Sequence, residues 1–151
     1  MLIRTFCLFL MLAYGSFVWG QECNIEAGLK ISKKFELEGD FKSAQEQIET
    51  LLSCSNPTPQ QKATLLTALS KQYRNQVTKN KKARKTLLLA QKQQRTLDLN
   101  FKLLLLENDV FKKTNTYFDT LFSEVEAEVL HKNPADDLVL GRYYFILGKK
   151  E

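Results

Sequence analysis

The stretch FELEGDFKSAQEQIETLLS, residues 35–53, carries a reversal of chain direction in its middle. Gly39 can take the left-handed backbone that ends a helix, and Asp40 can accept hydrogen bonds from the first amides of the next one. Beyond the turn, Ala44, Ile48, Leu51 and Leu52 recur at three- and four-residue steps, the period of a helix with one buried face. Leu66, Leu69 and Tyr73 continue that period. No long run alternates apolar with polar residues as a half-buried strand would, and only 3 prolines and 6 glycines occur in 151 residues. An all-α chain is expected.

Working outward, the clearest break is Asn56-Pro57-Thr58-Pro59. Thr58 suits an N-cap, Pro59 the first helical position, and Gln61 completes a capping box. Further breaks are expected near Thr78 to Asn80, Thr96 to Asp98, Thr114-Asn115 and Asn133-Pro134. About seven helices of roughly 12 to 18 residues result, and loops this short make neighbours antiparallel.

The opening stretch resembles the tetratricopeptide repeat family, whose unit is a helix-turn-helix of about 34 residues. The resemblance rests on Phe35 near the end of a first helix, Gly39-Asp40-Phe41 at the turn, Ala44 as a small residue on the second helix, Ile48 and Leu51 one and two turns later, and Pro57 near the expected terminal proline. In a second unit Tyr73 takes the place of Phe35, and Ala83, Leu87 and Ala90 match Ala44, Ile48 and Leu51. Phe111 takes it in a third, followed by Leu121 and Val125. Leu140-Gly141, Tyr144 and Gly148 match the first helix of a fourth. The aromatic steps are 38 (35 to 73), 38 (73 to 111) and 33 (111 to 144), so the middle units are extended. The resemblance implies helical hairpins stacked as a right-handed α-solenoid of about three and a half repeats. The units run approximately 22–57, 58–96, 97–133 and an incomplete 134–151. An unrelated helical bundle is the alternative.

The first 20 residues read differently: Arg4 gives a positive start, Phe6 to Trp19 is uncharged and largely apolar, and Val18-Trp19-Gly20 approaches a cleavage point. A signal peptide over 1–20 is expected, cleaved near Gly20-Gln21, with 21–151 as the exported helical domain. An uncleaved membrane anchor is the alternative, although the run falls short of the ~20 residues a spanning helix needs. Removing Cys7 with the leader leaves Cys23 and Cys54, an even pair that an oxidising compartment would join. Cys23 would begin the first helix and Cys54 end the second, neighbouring positions in an antiparallel hairpin. Two thiols and the distant His131 do not make a zinc site.

The family resemblance implies a concave face lined by first helices. Carrying over the positions flanking each large aromatic gives Lys33 and Glu36, Lys71 and Arg74, Asp109 and Lys112, and Arg142 and Phe145. This face is net positive and would suit an acidic or carboxylate-bearing peptide; the plainer reading is a solvated helix surface. The paired Lys and Asn pattern of chaperone-binding members is not reproduced. From Thr50 to Leu97 there are ten Lys or Arg and no acid, while eight acids fall between Glu107 and Asp137. The leader and the lack of interleaved aromatics disfavour nucleic acid. Membrane contact is left to the N-terminal segment or the basic region 79–95, and a solvated outer face is the simpler account.

No Gly-rich loop, nucleophile motif or metal-ligand cluster occurs, so neither catalysis nor a cofactor is expected. His131 and Asp136-Asp137 suit helix ends. The expected function is a non-catalytic protein-binding scaffold. The alternative is the sensory or assembly front end of a larger exported signalling protein or enzyme, its effector lying beyond Glu151.

Overall fold

The computed structural model describes residues 23–54, 56–108, 116–131 and 137–150. The leader, Phe111 and the breaks expected at 114–115 and 133–134 lie outside them. Among the described residues there are seven α-helices and no strand. They are α1 (Ile25–Leu37), α2 (Phe41–Cys54), α3 (Pro59–Arg74), α4 (Asn80–Gln93), α5 (Leu97–Leu106), α6 (Thr116–His131) and α7 (Asp137–Lys150), with one 3-10 turn at Val77–Lys79.

Local chemistry sets the boundaries. Asn24 caps α1 by accepting from the Ala27 amide at 3.0 Å. Gly39 follows with φ +79°, a backbone conformation open to glycine because it has no Cβ. Asp40 then accepts from the Ser43 amide at 3.0 Å and the Ser43 hydroxyl at 2.6 Å. At α3 the capping box is reciprocal: the Gln61 amide donates to Thr58 Oγ1 at 3.3 Å and the Thr58 amide to Gln61 Oε1 at 2.9 Å. Thr96 caps α5 through the Leu99 amide. Each cap satisfies an amide that the first turn of a helix leaves without a partner.

Each of the first six helices packs against the next, α1 also meets α3, and α5 also meets α7. One contiguous core runs from Ile48 in α2 to Ile146 in α7. Full burial of a side chain such as Ile48 contributes about 1.5–3 kcal/mol.

Two hairpins are built alike. In the first, the buried Ser32 hydroxyl donates to the carbonyl of Ala44 at 3.0 Å; in the second, Ser70 donates to Ala83 at 2.9 Å. Ala44 and Ala83 are both wholly buried, and a larger side chain at either would push the two helices apart. Ser32 and Ser70 each stand three residues before the large aromatic, Phe35 or Tyr73, and the two serines are 38 apart (32 to 70). Gly28 adds a close approach in the first hairpin, where a Cβ would sit 2.5 Å from Leu51 Cδ2. Cys23 and Cys54 form a disulfide with a Cα–Cα distance of 6.0 Å, joining the start of α1 to the end of α2.

In α7 the aromatic that enters the core is Tyr143, with Ile146 beside it, while Tyr144 is 62% exposed. The Tyr143 ring stacks on Phe122 and its hydroxyl donates to Glu126 at 2.6 Å. One residue turns a helix face by about 100°, and contact with α5 and α6 selects the face carrying Leu140, Tyr143 and Ile146.

Candidate interaction surface

A cleft of about 600 Å³ opens between α3 and α5. Five of the residues of α3 that border it are short, Ala63, Thr64, Thr67, Ala68 and Ser70. Thr64 and Thr67 turn their hydroxyls onto carbonyls of their own helix at 3.1 and 2.7 Å, which withdraws those donors from the cleft. Leu87, Leu99 and Leu106 supply apolar walls, while Lys71, Arg74, Asp98 and Lys102 bring charge to it. The volume lies in the range typical of ligand-binding clefts.

At the α1 edge of α3, a hub of charge ties the two helices together. Glu36 accepts from Lys71 at 2.6 Å, from Lys33 at 2.9 Å and from the Gln72 amide at 2.8 Å. Burial works to raise the Glu36 carboxyl, but the bonds from Lys71, Lys33 and Gln72 outweigh it and hold it at about 2. The hydrogen bond from Lys33 to Glu36 in turn raises the lysine. A second hub ties α5 to α7, where Asp98 accepts from Lys102 at 2.6 Å and Arg142 at 2.9 Å. Burial again opposes ionisation at Asp98, and the two cations together carry its carboxyl below the usual range.

The sequence-predicted positions divide accordingly. Lys33, Glu36 and Lys71 meet in the first hub, and Lys71 and Arg74 line the cleft. Arg142 joins the cleft only indirectly, through Asp98. Phe145 is 57% exposed on α7, away from the cleft. Asp109 and Lys112 lie outside the described residues. Sequence reasoning missed Asp98 and Lys102, although an acid and a lysine four apart behind the Thr96 cap were a visible signal. It also missed Glu107, which is nearly inaccessible and paired with Arg84 of α4, whose guanidinium lies over the Tyr117 ring at 5.7 Å. No local pattern announces that pair.

Among the described residues, no group of three or more His, Cys, Asp or Glu is placed to hold a metal ion, and no helix is long and apolar enough to cross a membrane. Compared with protein-family models, with curated proteins and with solved structures, the chain finds no match in any of the three. The class defined by the fold is thus an all-helical protein of consecutive packed helices with a charged, apolar-floored cleft between α3 and α5.

Proposed function

We propose that the chain is an exported, non-catalytic interaction scaffold of tetratricopeptide-like hairpins, stacked as a right-handed solenoid, that binds an acidic protein segment in the α3–α5 cleft. The cleft carries the reading: it lies between α3 and α5, which on this reading are the first helices of successive hairpins, and sets Lys71, Arg74 and Lys102 around an apolar floor. A peptide with one or two apolar side chains and a flanking carboxylate would bury the former on Leu87 and Leu99. It would take charge-assisted hydrogen bonds from the lysines. Lys71 and Lys102 already hold carboxylates of their own, so they are positioned before a ligand arrives and need only share a proton donor with it. The repeated Ser–Ala hydrogen bond supports the hairpin repeat, and the Cys23–Cys54 bridge is compatible with export.

The test is amide chemical-shift mapping on the full chain with a short leucine-centred peptide flanked by glutamates, against the same peptide with glutamines. Shifts at Thr67, Lys71, Leu99 and Lys102 with the acidic peptide, abolished by Lys71→Glu with Lys102→Glu, are expected. Equal response to both peptides, or shifts confined to other helices, would refute the assignment.

A further inference from the structure

A separate surface is carried by α4. This helix packs inward through Ala83, Leu87 and Ala90, all buried, and Leu87 reaches the floor of the cleft. Lys81, Lys85, Leu89 and Lys92 fall at steps of four, four and three and form a stripe on the opposite side, with Lys82 beside it. All five are exposed, Leu89 by 42%, and Leu88 is half-buried along the edge.

The lysines of α1 and α2 are treated differently from these. Lys30, Lys34 and Lys42 each face a glutamate four residues away, the ordinary arrangement on a solvated helix. On α4 no acid exists, and among the described residues no carboxylate lies within ion-pair distance of Lys81, Lys82, Lys85 or Lys92. Lys81 and Lys85 are instead like charges four apart, which weakens a helix. The face keeps its positive charge at a cost to its own stability.

We infer that the α4 face docks the protein on an anionic phospholipid surface. The charges are lysines, compact and strongly hydrated, which suit a diffuse plane of headgroups; arginine forks suited to paired recognition of single phosphates are absent from the stripe. The stripe is straight, about 16 Å long from Lys81 to Lys92 at helical rise, and Leu89 lies within it, able to enter the headgroup boundary while the lysines reach outward. Nucleic acid is served less well. Tyr73, whose ring lies 5.8 and 5.9 Å from the ammonium groups of Lys79 and Lys82, is itself buried and is not open to stack on a base.

The experiment is co-sedimentation of the full chain with vesicles of phosphatidylcholine alone and with a quarter of it replaced by phosphatidylserine. Stronger binding to the anionic vesicles is expected, weakening as salt shortens the screening length. The triple variant Lys81→Gln, Lys85→Gln, Lys92→Gln should lower that partitioning by on the order of a hundredfold. It should retain its circular dichroism, since it removes a like-charge pair, and bind the acidic peptide as before. Equal binding to both vesicle types, no binding to either, or an unaltered triple variant would overturn the inference. Tighter binding to a single-stranded oligonucleotide, lost in the same variant, would also overturn it and give the face to nucleic acid.

Discussion

Replacing Ser32 and Ser70 by alanine, singly and together, probes whether the two hairpins are copies of one device. Each serine hydroxyl is buried and donates to a carbonyl on the partner helix, at 3.0 Å to Ala44 and 2.9 Å to Ala83. Those carbonyls also accept within their own helices, so truncation strands no backbone group, and the loss is that of one net hydrogen bond, about 0.5–1.5 kcal/mol. Alanine fits where serine did, so no strain is added and only a small void is left. Each single variant should therefore lose about 1 kcal/mol, which lowers the midpoint of thermal unfolding by roughly 2–5 °C for a chain of this size. The two sites lie in different hairpins, and the double variant should show the sum. Urea unfolding monitored by circular dichroism gives the free energies. Hydrogen exchange should place the weakening of Ser32→Ala in α1 and α2 and that of Ser70→Ala in α3 and α4. A neutral or stabilising effect at one serine beside a loss of several kcal/mol at the other would refute the equivalence of the hairpins.

Gly39→Ala places a Cβ at φ +79° and should cost about 1–2 kcal/mol by thermal unfolding, with Gly39→Asn milder. Replacing Cys23 and Cys54 by serine opens a loop with a sequence separation of 31 and should cost about 3–4 kcal/mol in the loop-entropy account, seen as a lower urea midpoint. Glu36 has its folded pKa lowered from 4.5 to about 2, so its contribution to stability is complete above pH 4.5 and is lost as pH falls through 2. Glu36→Gln should flatten that part of the acid unfolding curve, and a curve with unchanged slope would argue against the hub.

Much of the fold was legible because its signals are local. Gly39-Asp40, the Thr58 capping box and the Thr96 cap act over three or four residues, and the physics of a helix end is contained in that span. The pairing of Cys23 with Cys54 followed from the hairpin that those ends define. The candidate site was legible only in part. Lys33 and Glu36 share a helix, but the bonds that bring Lys71 and Gln72 to Glu36 span 35 and 36 residues, and that from Arg142 to Asp98 spans 44. Sequence patterns identify residues able to pair without naming the partner, because the choice depends on how helices from different hairpins come to rest.

The consecutive aromatics of α7 mark the boundary between the two kinds of knowledge. Composition and period determined that this segment is a helix with an apolar face, and that the chain is all-α in class, since backbone hydrogen bonding and burial of one stripe demand no knowledge of the partner. Which ring enters the core was decided by tertiary contact: Tyr143 meets Phe122 and Glu126, and Tyr144 is left in solvent. The same holds for the cleft. Short side chains along α3 were written in the sequence, but a space between α3 and α5 exists only once both helices are held by the core beneath them, because a cleft is a property of surfaces that meet and not of either surface alone.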